Sequence, residues 1–334
     1  MLAGVGPSWS SQAPARHHPM PMLLLLALAA TSCFNVKMAA VLSIHGIRRM
    51  DFTFVPSAAM MVQAYSGSAW RGAFGHALKR MVCAMRLRPC EGCALSAVCI
   101  HPAFFGAGAE SEASRPYILC PDRAPRDGLL RAGQPFRVRM TLFSAADPAA
   151  AYAVRALLEA AANGLTARRV PLHCIDISDV ATGLTVEPSG LLPEPVKATC
   201  PQAPVAVRLH LTTPLRIRLR GDLLTGRSLL PEHLVAAAIR RIRRLGLVLP
   251  EGLAGAARAA AVNLRFGDRR LGWLETTRFS SRQNTAMQMG GIVGEATLDL
   301  RQASHVWPLL WAASVLHLGK GASMGFGRIE VEAL

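Results

Sequence analysis

The chain has 334 residues, 51% of them hydrophobic and only 17% charged, which excludes a disordered chain and leaves room for two domains with cores of their own. Its charge is lopsided: 37 Lys and Arg against 21 Asp and Glu give a formal net charge of +16, which points to a polyanionic partner, nucleic acid ahead of an anionic membrane surface. The eight cysteines, half of them in one stretch, argue against a secreted disulfide framework and for an intracellular chain with one metal cluster at most.

At the N-terminus, Arg16, His17 and His18 precede the apolar run from Met22 to Ala30, and Ala30-Thr31-Ser32-Cys33 has the shape of a lipoprotein cleavage site. The run is too short to span a membrane. Two readings stand: a signal segment over 1–33, or an over-extended gene start with Met20, Met22, Met38 or Met50 as the true initiator. The chemistry-bearing stretches downstream would serve no purpose in an exported protein and favour the second. Residues 1–43 are therefore read as an extension, and the expected location is cytoplasmic, with no membrane partner.

Residues 49–55 alternate apolar and polar, the period of a half-buried strand. After Tyr65-Ser66-Gly67, Ser68 is placed to cap a helix whose apolar stripe is Trp70, Ala73, Phe74, Ala77, Leu78 and Met81. A cysteine-rich segment comes next, then a strand over 136–143. Asp147-Pro148 opens a second helix as N-cap and first residue, Asn163-Gly164 closes it, and 168–177 reads as a strand.

The second half repeats this order. Val205, Val207, Leu209 and Leu211 alternate with polar residues, and beyond Thr213-Pro214 the alternation continues through Arg216, Arg218 and Arg220, predicting a strand with an arginine face. Pro231 opens a helix that runs to Gly246 with Arg240, Arg241, Arg243 and Arg244 in its last turns, where arginine suits both the helix dipole and RNA. Strands are expected over 271–280 and 292–298, a helix from Pro308 to Gly319, and a last strand over 326–331. The fold class is therefore α+β: two tandem ferredoxin-like (βαββαβ, RRM-like) domains, 44–200 and 201–334, with a Cys-rich, helical insertion at about 83–115 in the first.

Two stretches carry chemistry. The loop Gly319-Lys320-Gly321-Ala322-Ser323-Met324-Gly325-Phe326-Gly327-Arg328 is not a P-loop, because the helix precedes it and GxxxxGK[ST] is absent. Glycines so dense allow backbone amides to approach phosphate, with Lys320 and Arg328 adding charge; a tight helix-to-strand turn without a ligand accounts for them equally well. The segment Cys83-x6-Cys90-x2-Cys93-x5-Cys99, with His101 just beyond, offers four soft ligands for a structural zinc, with an iron–sulfur cluster or no metal as alternatives. Its neighbours Arg86 and Arg88 add positive charge beside it.

A C-terminal helix followed by G-K-G-x-S-x-G-x-G-R and a terminal strand resembles the RAMP-type CRISPR proteins, and more specifically their sixth Cas family, the endoribonucleases that cut precursor CRISPR RNA in its repeats. Gly272-Trp273, Arg278-Phe279-Ser280-Ser281-Arg282-Gln283 and Met289-Gly290-Gly291-Ile292-Val293-Gly294 are similar to the same family, as is the stretch from Gly67 to His76. The resemblance implies a single metal-independent cut: the 2′-hydroxyl beside the scissile phosphate attacks it, leaving a cyclic phosphate and a 5′-hydroxyl, so that catalysis itself needs no cofactor.

It also implies a histidine near the first helix, often with a tyrosine and a lysine. On the outward face of that helix His76 and Lys79 lie one turn apart, Gly72 and Gly75 thin the surface, and Tyr65 precedes it. His76 is thus expected as general acid or base, Lys79 as electrostatic stabiliser and Tyr65 as helper, with His45 or an arginine cluster as the alternative. RNA contacts are expected from Arg71, Arg80, Arg216, Arg218, Arg220, Arg240, Arg244, Arg278, Arg282, Lys320 and Arg328 and from Gly319, Gly321, Gly325 and Gly327. Only three tyrosines leave little for base stacking, so recognition should rest on the shape and phosphates of a repeat hairpin, which Arg86 and Arg88 beside the cysteines would help to grip. The expected partners are CRISPR repeat RNA, the mature crRNA and other Cas subunits. A non-cutting RAMP subunit that holds crRNA is the alternative function, and a basic lipoprotein is the reading the glycine loop argues against.

Overall fold

The computed structural model describes residues 41–85, 89–105, 115–165, 168–187, 191–280 and 285–334. The readings of the N-terminal segment through Ala40, and the expectations for Arg86, Arg88 and Arg282, lie outside the described residues.

The first domain contains β1 (Ser43–Pro56), α1 (Gly67–Val82), α2 (Ile100–Phe105), β2 (Tyr117–Pro121), β3 (Phe136–Phe143), α3 (Ala150–Ala162) and β4 (Leu172–Asp179). Its sheet runs β2-β3-β1-β4, all antiparallel, with β1 at the centre. That is the ferredoxin order expected of βαββαβ. The short strand Val196–Thr199 pairs with the opening residues of β1. Alternation along β1 buries Met50, Phe52 and Phe54 under α1 and α3, where Phe54 meets Trp70 at 5.1 Å between ring centroids. The opposite face carries charge, held by pairing: both carboxylate oxygens of Asp51 accept from Arg139 at 2.7 Å.

The second domain contains β5 (Ala206–Leu215), α4 (Pro231–Arg244), α5 (Leu253–Asn263), β6 (Arg269–Leu274), β7 (Gly291–Asp299), α6 (Trp307–Leu316) and β8 (Ile329–Ala333). Its sheet order, β6-β7-β5-β8, repeats that of the first. The two halves are not separate bodies. Leu42, Ile44 and Ile47 of the β1 region, with Ile118, Cys120 and Phe143, belong to the same apolar cluster as Leu209, Leu234, Ile239 and Leu310. No helix among the described residues is long and apolar enough to cross a membrane.

Several local expectations need correction. Helix α1 begins at Gly67, and Ser66 stands at its N-cap without a side-chain capping bond, so Ser68 is not the cap. Pro148 lies inside a 3-10 turn, Ser144–Ala149, that precedes α3. Helix α5 carries little signal in the sequence; its alanine-rich run buries only Ala257 and Ala261 and shows a weak apolar stripe. The expected arginine-faced strand stops at Leu215. Arg218-Leu219 pairs with Asp222-Leu223 in a tight hairpin, and Arg220 sits in its turn at φ +50°.

Candidate functional site

The outward face of α1 presents His76, which is exposed, and Lys79, which is half-buried. The structure adds a histidine that spacing does not show. His101, on α2, lies within electrostatic reach of both. Burial lowers its pKa first, and the charges of Lys79 and His76 lower it further, which favours the neutral imidazole. Its ring stacks on Phe105 at 5.0 Å, and Arg71 covers the same Phe105 ring at 5.1 Å. Gly75 is explained by this packing: a Cβ there would stand 2.8 Å from the Phe105 ring, so the missing side chain seats α2 and does not serve to thin a free surface. Gly72 does face open space, with nothing within 4 Å of its added Cβ. Arg80 is exposed and reaches Glu159 on α3 at 3.6 Å.

Tyr65 is not a helper at this surface. Its side chain is 2% exposed, its hydroxyl donates to the Met324 carbonyl at 2.9 Å, and burial pushes its pKa well above that of a free phenol. It ties the start of α1 to the glycine loop, its ring against Phe326 at 5.4 Å. The approach is so close that a Cβ on Gly67 would meet the Met324 oxygen at 2.0 Å, and one on Gly325 would meet the Tyr65 hydroxyl at 2.1 Å.

The glycine loop is correspondingly not an open phosphate cradle. The amides of Met324 and Gly325 donate within the loop at 2.8 Å, that of Gly327 donates to the Pro214 carbonyl at 3.0 Å, and that of Arg328 donates to Thr213 Oγ1 at 2.9 Å. Thr213 Oγ1 in turn donates to the Gly325 carbonyl at 2.8 Å. These donors are spent on the protein, so Gly321, Gly325 and Gly327 serve the turn and the join between domains. Of the expected RNA-binding residues in the loop, only Lys320, at its entrance, and the neighbouring Gly319 border open space, around the cavity described below. Arg328 is half-buried and paired with Glu330 at 2.8 Å.

The remaining expected RNA-binding residues divide. Arg216, Arg218, Arg240, Arg244, Gly319 and Lys320 come together around one cavity, with Arg241 among them. Arg220 is exposed in its hairpin turn and does not border it. Arg278 lies on the strand Thr277–Ser280 of a second hairpin, paired with Thr285–Gln288. His45, the alternative catalytic histidine, is exposed near the start of β1, beside the strand Val196–Thr199 and not on α1.

The four-cysteine segment does not form a ligand set. Cys83, Cys93 and Cys99 border a cavity of about 390 Å³ with Met81, Met85 and Tyr152, whereas Cys90 turns to the ring nitrogen Nδ1 of His101 at 3.6 Å. Among the described residues no three His, Cys, Asp or Glu side chains gather closely enough to hold one metal ion.

Residues 209–329 match the family model of the CRISPR-associated endoribonuclease Cas6, and residues 44–192 match the N-terminal-domain family AF_1859_N. The Cas6 match falls on the second domain, about a third of the chain. A Cas6 product complex superposes with a TM-score of 0.55 at 16% identity, over 86% of this chain and 99% of the other. Cas6 of Thermus thermophilus gives 0.54 at 14% identity over the same shares, 86% and 99%. Part of a Cas6-RT-Cas1–Cas2 complex gives 0.54 at 11% identity, covering 87% of this chain and 47% of that longer one. At these identities the likeness is one of fold: two tandem ferredoxin-like domains joined as in Cas6. No curated protein sequence matches the chain.

Proposed function

We propose that this protein binds the repeat hairpin of precursor CRISPR RNA and cuts it once, without a metal ion, leaving a 2′,3′-cyclic phosphate and a 5′-hydroxyl. The observation that carries the reading is the grouping of His76, Lys79 and His101 on the surface of α1 and α2 in a chain whose second domain matches the Cas6 family model. The nucleophile belongs to the RNA, so the protein needs two proton carriers and a positive charge. His101, favoured as the neutral imidazole, is suited to accept the 2′-hydroxyl proton as that oxygen attacks phosphorus in line. His76, exposed on the adjacent turn of α1, supplies a proton to the departing 5′-oxygen. Lys79 lies where it can offset charge on the pentacoordinate phosphorus. The bond from phosphorus to the 5′-oxygen breaks as the bond to the 2′-oxygen forms, and the two proton transfers balance.

After the cut the protein keeps the crRNA and passes it to other Cas subunits; the solved complex of a Cas6-type chain with Cas1 and Cas2 supports such assembly. The test is cleavage of repeat RNA in EDTA by wild type and by His76→Ala. A single cut ending in a cyclic phosphate, slowed about 10²–10⁴-fold by the substitution, is the expected result. Cutting unaffected by His76→Ala and by His101→Ala would move the centre elsewhere. Tight binding without any cut would leave a crRNA-holding subunit.

A further inference from the structure

A cavity of about 230 Å³ opens in the second domain between α4, the Arg218 hairpin and the entrance of the glycine loop. Its charged lining is Arg216, Arg218, Arg240, Arg241, Arg244 and Lys320, and among the described residues no carboxylate borders it. Relief of the helix dipole explains arginines in the last turn of α4, but not those delivered from the hairpin and the loop. Arg216 and Arg241 are each 8% exposed. Arg216 gives one terminal nitrogen to the Gly290 carbonyl, and Arg241 gives its Nε to the Leu316 carbonyl at 3.0 Å. Among the described residues, Arg216 Nε and a terminal nitrogen of Arg241 are then buried without a hydrogen-bond partner. Glu275, whose charge is felt by Arg216, has its oxygens occupied by Trp273 Nε1 and the Gly290 amide, both at 2.9 Å.

We propose that this cavity seats a backbone phosphate of the bound RNA, a docking point in the second domain additional to the cutting centre on α1. The inference rests on the RNA reading above. Crowded like charges with unpartnered buried donors are unfavourable, and an anion with several acceptor oxygens relieves both at once. Repulsion is visible in the group: after burial, Arg218 lowers the pKa of Arg216, and Arg244 that of Arg240. Planar guanidinium groups match phosphate oxygens in pairs. Among the described residues no aromatic ring lines the cavity, so it does not suit a base, and what it grips is independent of sequence.

The test uses the full chain and the double substitution Arg240→Gln/Arg244→Gln, with Lys320→Ala as a second variant at an exposed position. Dissociation constants for repeat RNA and for an unrelated hairpin are measured over a series of KCl concentrations, and thermal unfolding reports folding. Both RNAs should bind more weakly to each variant. The slope of log affinity against log salt should become shallower by about 0.7–0.9, the change expected when one phosphate is no longer neutralised. Inorganic pyrophosphate should raise the melting temperature of the wild type and not that of the double variant. Unchanged slopes in folded variants overturn the proposal even if wild type cuts repeat RNA. Failure of the wild type to bind repeat RNA sinks the functional reading instead, and the pyrophosphate response then decides the cavity by itself.

Discussion

The imidazole of His317 is buried at the end of α6, in a backbone conformation of φ +54° that leads into the glycine loop. Burial, then the charges of Arg328 and Arg241, push its pKa down to about 3. In the unfolded chain it titrates near the ordinary value of about 6.5. Between these values the unfolded state binds the proton and the folded state does not, so stability falls as pH drops below about 6.5 and is unaffected above it. At pH 5 the loss amounts to at most about 2 kcal/mol. His317→Asn, which tolerates positive φ, should flatten the melting temperature between pH 6.5 and 5 by a few degrees in calorimetry. Equal slopes in both proteins would show that His317 is protonated in place. At this scale His76 and Lys79 are legible because helical spacing fixes which residues share a face. His101 is not: its helix α2 is brought back to α1 by Phe104 and Phe105 packing on Phe74 and Gly75, which no spacing encodes. Its substitution by Gln should slow cleavage by about 10²-fold or more if it takes the 2′-hydroxyl proton, with RNA affinity retained in a filter-binding assay. Tyr65 escapes a sequence reading because a tyrosine just before a helix turns inward or outward according to what the partner domain offers.

Two glycines of α1 give opposite expectations. Gly72 faces open space inside a helix, so Gly72→Ala should stabilise the protein by about 0.5–1 kcal/mol through helix propensity. Gly67→Ala must displace the Met324 carbonyl and should cost about 1–3 kcal/mol. Denaturant midpoints of the two variants check both signs, and matching midpoints would mean that α1 and the glycine loop do not touch in solution. The strand and helix order is readable because the period of two along β1, β3 and β5 and the stripe of α1 are strong signals. The arginine alternation misleads, since it persists through Arg220 although the strand ends at Leu215 and Arg220 lies in the turn of the next hairpin. The glycine loop is half readable: its density shows a backbone under constraint, but not that Pro214, Thr213 and Tyr65 supply the partners.

Over the whole molecule, the first sheet lends Leu42, Ile44, Ile47 and Phe143 to the second domain's core, and Arg241 of α4 covers the Phe143 ring at 5.8 Å. Residues 41–334 should therefore unfold in one calorimetric transition with equal calorimetric and van't Hoff enthalpies. Two resolved transitions would contradict the shared core. The duplicated element order can be read from sequence; this sharing cannot, since an apolar residue on a strand does not say which domain will cover it. The seating of α2 on the bare backbone of Gly75 has a consequence for transplantation. His76 travels with the first helix, but His101 arrives on a separate segment, seated where Phe104 and Phe105 pack on Phe74, Tyr117 and Gly75. A chimaera that grafts α1 onto another frame would inherit half of the pair, and exchanging the segment between Cys83 and His101 would retune the chemistry without altering any residue of the helix on which it occurs.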